Sequence, residues 1–103
     1  MSRDSLYPIS LRRRGIYQRA LSTWGYDKQL LMVMEECGEL LNALAKESRG
    51  RCRVSDIITE LADVSIMVEQ MAQFFGWDEF EKERERKLKR VEERLDNYRE
   101  GQV

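Results

Sequence analysis

The chain predicts an all-α fold: a four-helix, bundle-like protomer that associates as a dimer or a higher oligomer. Three observations carry that prediction. One proline and six glycines in 103 residues, 42% of them apolar, suit long helices and not short strands joined by turns. Apolar residues recur at helical spacing along four segments. Glycines at positions 25, 50 and 76 punctuate those segments.

Residues 1–8 read as an irregular lead-in ending at Pro8. A first helix follows over about 9–24, where Ile16, Tyr17, Ala20, Leu21 and Trp24 share a face and Gly25 supplies the stop. Asp27 offers an N-cap for a second helix over 28–47, dense in Leu, Met and Ala, that breaks near Gly50. The basic loop "SRGRCRV" connects it to a third helix. Ser55 and Asp56 can cap that helix, which carries Ile57, Leu61, Val64, Val68 and Met71 and stops at Gly76. In "WDEFEKE", Asp78 and Glu81 have capping-box spacing and open a fourth helix. Its apolar residues, Phe80, Leu88, Val91, Leu95 and Tyr98, form one narrow seam among Lys, Arg and Glu. Helices two and three are apolar on more than one face, so one chain alone leaves hydrophobic surface uncovered and self-association is expected.

Composition also excludes. Eighteen basic against 19 acidic residues give a net charge of −1, which argues against a nucleic-acid binder. Cys37 and Cys52 match no metal spacing and require no disulfide. No run of eighteen apolar residues and no signal-peptide core occurs, so a single cytoplasmic domain away from membranes is expected.

The second helix nevertheless sets glutamates among apolar residues: in "EECGE", Glu35, Glu36 and Glu39 share one arc at about 100° per residue. "ITELADV" repeats the i,i+3 spacing with Glu60 and Asp63 on the third helix. If these helices form an antiparallel hairpin, Glu39 and Asp63 each lie about 12 Å from the turn, so the two pairs come level. Two like charges about 5 Å apart repel by roughly 3 kcal/mol at an effective dielectric of 20. Protonation, an intervening basic group or a bound cation must relieve such a cluster. With no histidine in the chain, an all-oxygen site points to Mg²⁺, with Mn²⁺ as substitute, and so to a phosphate ester or anhydride as ligand.

The pattern Glu-Glu-x-x-Glu, then a spacer, then Glu-x-x-Asp resembles that of the MazG-like all-α nucleoside triphosphate pyrophosphohydrolases. Here it reads "EECGE" at 35–39 and "ELAD" at 60–63, with twenty residues between. The likeness spans about residues 16–95, and "WGYDKQLLMVMEECGELLNALAKESRG" looks like the short single-domain bacterial and phage members. The resemblance implies cleavage of an NTP or dNTP between the α and β phosphates, giving a monophosphate and pyrophosphate, as nucleotide-pool housekeeping. It implies Glu36, Glu39, Glu60 and Asp63 as metal ligands, and Glu35 as the residue that orients the attacking water or binds a second ion.

Family members usually supply a Lys and an Arg from the helix after the acidic motif, a role that Lys87, Arg90 and Arg94 fit. An asparagine common near that Lys in related subfamilies is missing from "RKLKRVEERL". Lys46, together with Arg49, Arg51 and Arg53, competes for the phosphate role. Trp24 is the candidate for stacking on the base. The rival readings are a phosphoribosyl-ATP pyrophosphohydrolase-like activity and a non-catalytic helical interaction module with a structural cation site.

Overall fold

The computed structural model describes residues 9–99 as four helices, with no strand among them. They are α1 (Leu11–Trp24), α2 (Tyr26–Glu47), α3 (Val54–Phe75) and α4 (Trp77–Arg99). The expected lead-in over 1–8 lies outside the described residues.

Three of the four helix starts differ from the expected caps. α1 is closed by a side chain, the Ser10 hydroxyl accepting from the Arg13 amide at 3.1 Å, whereas α2 and α3 have no side-chain cap. α2 begins two residues before the expected start, because Gly25, at φ 86°, turns the chain and its carbonyl accepts from the Gln29 amide at 3.1 Å. Asp27 thereby becomes a first-turn residue, favourable to the helix dipole, and not the cap. α3 starts at Val54 from an extended Arg53, whose carbonyl takes the Asp56 and Ile57 amides, so Ser55 and Asp56 also fall inside the first turn. At α4 the Gly76 carbonyl accepts from Phe80 at 3.0 Å, and Asp78 lies within the helix and not at the cap of a capping box.

α2 and α3 form the long antiparallel hairpin, and α1 packs on both. Three side-chain contacts tie α1 to α3. Tyr17, 4% exposed, donates its hydroxyl to Glu69 Oε1 at 2.6 Å. Arg13 Nε pairs with the same oxygen at 3.1 Å, and the Gln73 amide donates to the Arg14 carbonyl at 3.3 Å. Burial first, then the Glu69 carboxylate, pushes the Tyr17 phenol up to about 12. At the end of the hairpin distal to the basic loop, Tyr26, Phe74 and Phe75 cluster with ring centroids 5.0–6.1 Å apart.

α4 departs from this body. Among the described residues it approaches α3 alone, and every described side chain from Lys82 to Tyr98 is exposed. The radius of gyration is 17.1 Å, against about 13 Å for a compact chain of this length. Four helices form as expected, but one chain does not close them into a bundle. A single residue, Gly76, separates α3 from α4, whereas an antiparallel helical hairpin takes a loop of about 2–5 residues. With its φ of 146°, that joint sends α4 away from the α3 surface.

Candidate metal centre

The equal spacing of acidic residues about the α2–α3 turn becomes proximity in the folded chain. Glu36 from α2 and Glu60 and Asp63 from α3 each present a carboxylate oxygen, all within 4.8 Å of one another. Glu36 faces α3 because it shares the inner face of α2 with buried Gln29 and Ala43, at i,i+7 spacing each way. Glu60 occupies the matching face of α3, one helical repeat before buried Met67.

The environment disfavours charge. Oε2 of Glu36 and Oε2 of Glu60 are sealed from solvent and have no hydrogen-bond partner. Burial is the leading cause that raises the Glu36 pKa, followed by the charges of Glu39, Asp63 and Glu60. Glu60 is raised in the same way, by burial, then by Glu39 and Asp63. Glu39, expected as a fourth ligand, is exposed and lies outside the three-carboxylate group, although its negative charge acts on both Glu36 and Glu60. An all-carboxylate set of this kind, with two shielded oxygens lacking donors, fits a hard divalent cation such as Mg²⁺ or Mn²⁺.

Beside the carboxylates a cleft of about 280 Å³ opens toward the basic loop. Glu39, Asn42 and Lys46 line it from α2, Asp56 and Glu60 from α3, and Arg51 from the loop. It therefore joins the acidic centre to two cations within one concavity, which suits an anion already bound to a metal. Lys46 lines this cleft on α2. Arg51 stands beside it, while Arg49 and Arg53 are not part of the lining.

Other candidate residues lie elsewhere. Glu35 is exposed, outside the three-carboxylate group. Trp24 ends α1, 53% exposed. Lys87, Arg90 and Arg94 line a shallow depression with Val91 on α4, and no acidic residue of the centre shares it. Lys87 is engaged by Glu83 at 4.0 Å.

Sequence reasoning missed the buried amides. Gln29 is 1% exposed and Gln70 4%, with Gln29 Oε1 and Gln70 Nε2 lacking partners. They lie seven residues from Glu36 and Asp63 respectively, about 10 Å along each helix toward the aromatic end. Helical spacing gave part of the signal, since Gln29 falls on the same face as Glu36 and Leu40, but not its enclosure. Among the described residues no helix is long and apolar enough to cross a membrane. Comparisons of the chain with protein-family profiles, with curated proteins and with solved structures gave no match.

Proposed function

We propose that this protein is a Mg²⁺-dependent nucleoside triphosphate pyrophosphohydrolase that cleaves the α–β phosphoanhydride of an NTP or dNTP. The observation that carries the reading is the convergence of Glu36, Glu60 and Asp63, with partnerless, shielded oxygens on the two glutamates. The likeness of "EECGE" and "ELAD" to the MazG-like motif supplies the reaction.

In this reading Glu36, Glu60 and Asp63 hold the ion, with Glu39 at its open side. Bound Mg²⁺ would neutralise phosphate oxygens and lower the pKa of a coordinated water. Ionisation of Glu36 and Glu60, opposed by burial and by their neighbours, becomes favourable once positive charge lies between them. Lys46 and Arg51 bind the anionic tail across the cleft, orienting the anhydride for in-line attack. Glu35, exposed on α2 outside the three-carboxylate group, has the role the resemblance implies, orienting the attacking water or binding a second ion. Self-association as a dimer or tetramer belongs to the same proposal.

The test is turnover of a panel of NTPs and dNTPs with Mg²⁺, measuring pyrophosphate against orthophosphate. Pyrophosphate is expected as first product, and orthophosphate first would contradict α–β cleavage. Glu60→Gln is expected to lose activity on the order of 100-fold or more with its helical signal unchanged. Mn²⁺ binding without turnover of any nucleotide would leave a structural cation site in a non-catalytic module.

A further inference from the structure

We infer that three enclosed glutamine side chains, Gln29 of α2 with Gln70 and Gln73 of α3, hold one internal water molecule where α1, α2 and α3 meet. The inference does not rest on the proposed hydrolase and involves neither metal nor nucleotide.

The chemistry begins with three amide atoms. Gln29 is 1% exposed and its Oε1 has no hydrogen-bond partner in the protein; Gln70 is 4% exposed and its Nε2 has none either. Gln73 Oε1 is sealed from solvent and unpartnered as well. The orientation of Gln73 is fixed, because its Nε2 donates to the Arg14 carbonyl of α1 at 3.3 Å and a carbonyl oxygen takes only a donor. A sealed amide that replaces none of its bonds to water carries the full desolvation cost of that group, so such atoms are ordinarily satisfied by protein or by ordered water.

The helices bring these groups to one level. Tyr26 and Phe74 mark one end of the α2–α3 seam, their ring centroids 5.0 Å apart. Further along it, Glu36 and Asp63 bring carboxylate oxygens within 4.8 Å of each other. Gln29 falls between Tyr26 and Glu36, seven residues before Glu36, and Gln70 between Asp63 and Phe74, seven residues after Asp63. In an antiparallel pair those equal steps set Gln29 opposite Gln70. Gln73 follows Gln70 at i,i+3, a neighbouring position on the same helix, and its bond to Arg14 turns it toward α1.

Two acceptors and one donor are the complement of a single water. It donates to Gln29 Oε1 and Gln73 Oε1 and accepts from Gln70 Nε2, the about three bonds that a buried water ordinarily makes. The Gln70 N–H opposes a cation at this point and the two carbonyl oxygens oppose an anion, so the donor set selects a neutral molecule that both donates and accepts. Direct pairing of Gln70 Nε2 with Gln29 Oε1 would satisfy two of the atoms and leave Gln73 Oε1 stranded. Because Gln73 is also bonded to α1, one water joins all three helices of the body.

The test is the side-chain amide spectrum of the ¹⁵N-labelled protein, with magnetisation transferred from the water resonance. A cross-peak from water to the Gln70 amide protons is expected, opposite in sign between laboratory-frame and rotating-frame experiments, the mark of a water that tumbles with the protein. The same sign in both frames would report exchange with solvent and overturn the inference. Absence of the peak would overturn it too, and a Gln29–Gln70 contact in its place would show the two amides paired directly. Gln29→Met is expected to lose the Gln70 cross-peak with its helical signal kept, whereas a peak of undiminished size would place that water elsewhere and overturn the inference. Should this variant fail to fold, the wild-type spectrum decides alone. Tyr17→Phe removes a buried hydroxyl that could relay exchange, and it is expected to keep the peak; loss there would assign the peak to the hydroxyl and sink the water site. A chain that holds this water yet hydrolyses no nucleotide would retain the inference while removing the hydrolase.

Discussion

At the scale of single residues, the centre is a set of carboxylates that would rather be neutral. Glu36 and Glu60 have folded-state pKa values above the ordinary carboxylate value, because burial and acidic neighbours oppose their charge. Their protonated forms therefore stabilise the fold fully below about pH 4.3, and that contribution is lost as pH rises through the raised values. In the metal-free protein, Glu36→Gln is expected to raise the melting temperature at pH 7, and the gain should vanish by about pH 4. Scanning calorimetry across pH in a chelating buffer checks both halves. With Mn²⁺ present the order reverses, and the same variant should bind the ion at least about tenfold more weakly by titration calorimetry. Removing the Tyr17 hydroxyl is a separate case. Tyr17→Phe deletes its donation to Glu69, so a loss of about 1–2 kcal/mol in urea unfolding is expected. Although Glu39 falls outside the group, the convergence of Glu36 with Glu60 and Asp63 was legible in the sequence because equal spacing from a turn survives folding. Gln29 and Gln70 were not, because a glutamine on an apolar face is normally taken for a polar edge and only packing shows it enclosed.

At the scale of the elements, periodicity located all four helices, whereas their caps were set by backbone more than by side chains. Asp27, Ser55 and Asp78 look like caps, yet carbonyls of Gly25, Arg53 and Gly76 accept the first helical amides. A glycine able to take positive φ lets a helix begin directly after another ends, and sequence spacing gives no sign of the resulting shift by one or two residues. Gly76 is the sharpest instance. A Cβ there would come within 2.6 Å of Glu79 Oε2, and φ is 146°. The glutamate tip can move aside, but the backbone conformation cannot be relieved in that way. Gly76→Ala is thus expected to cost about 1–3 kcal/mol by urea denaturation. Ser10→Ala, which deletes the side-chain cap of α1, should cost about 1 kcal/mol in the same assay.

At the scale of the whole molecule, the sequence disclosed the helix count and the excess of apolar surface but not the direction of α4. That direction depends on the dihedral angles of one joint, which no hydrophobic pattern encodes. The consequence is a chain whose α1–α3 body holds the carboxylates while its fourth helix projects. If the chain self-associates as proposed, stability becomes a function of protein concentration. The melting temperature is expected to rise measurably between 1 and 100 μM, at about 1.4 kcal/mol of association free energy per tenfold in concentration. A melting temperature independent of concentration, with a monomeric mass, would leave the seam exposed in solution.

The brevity of the α3–α4 connection also makes the chain convertible. Three or four extra residues inserted beside Gly76 would allow the last helix to reverse onto its own neighbours, where tethering holds it at millimolar effective concentration. A separate molecule at micromolar concentration could not compete. Length at this one point would then govern whether the protein completes itself or depends on a twin.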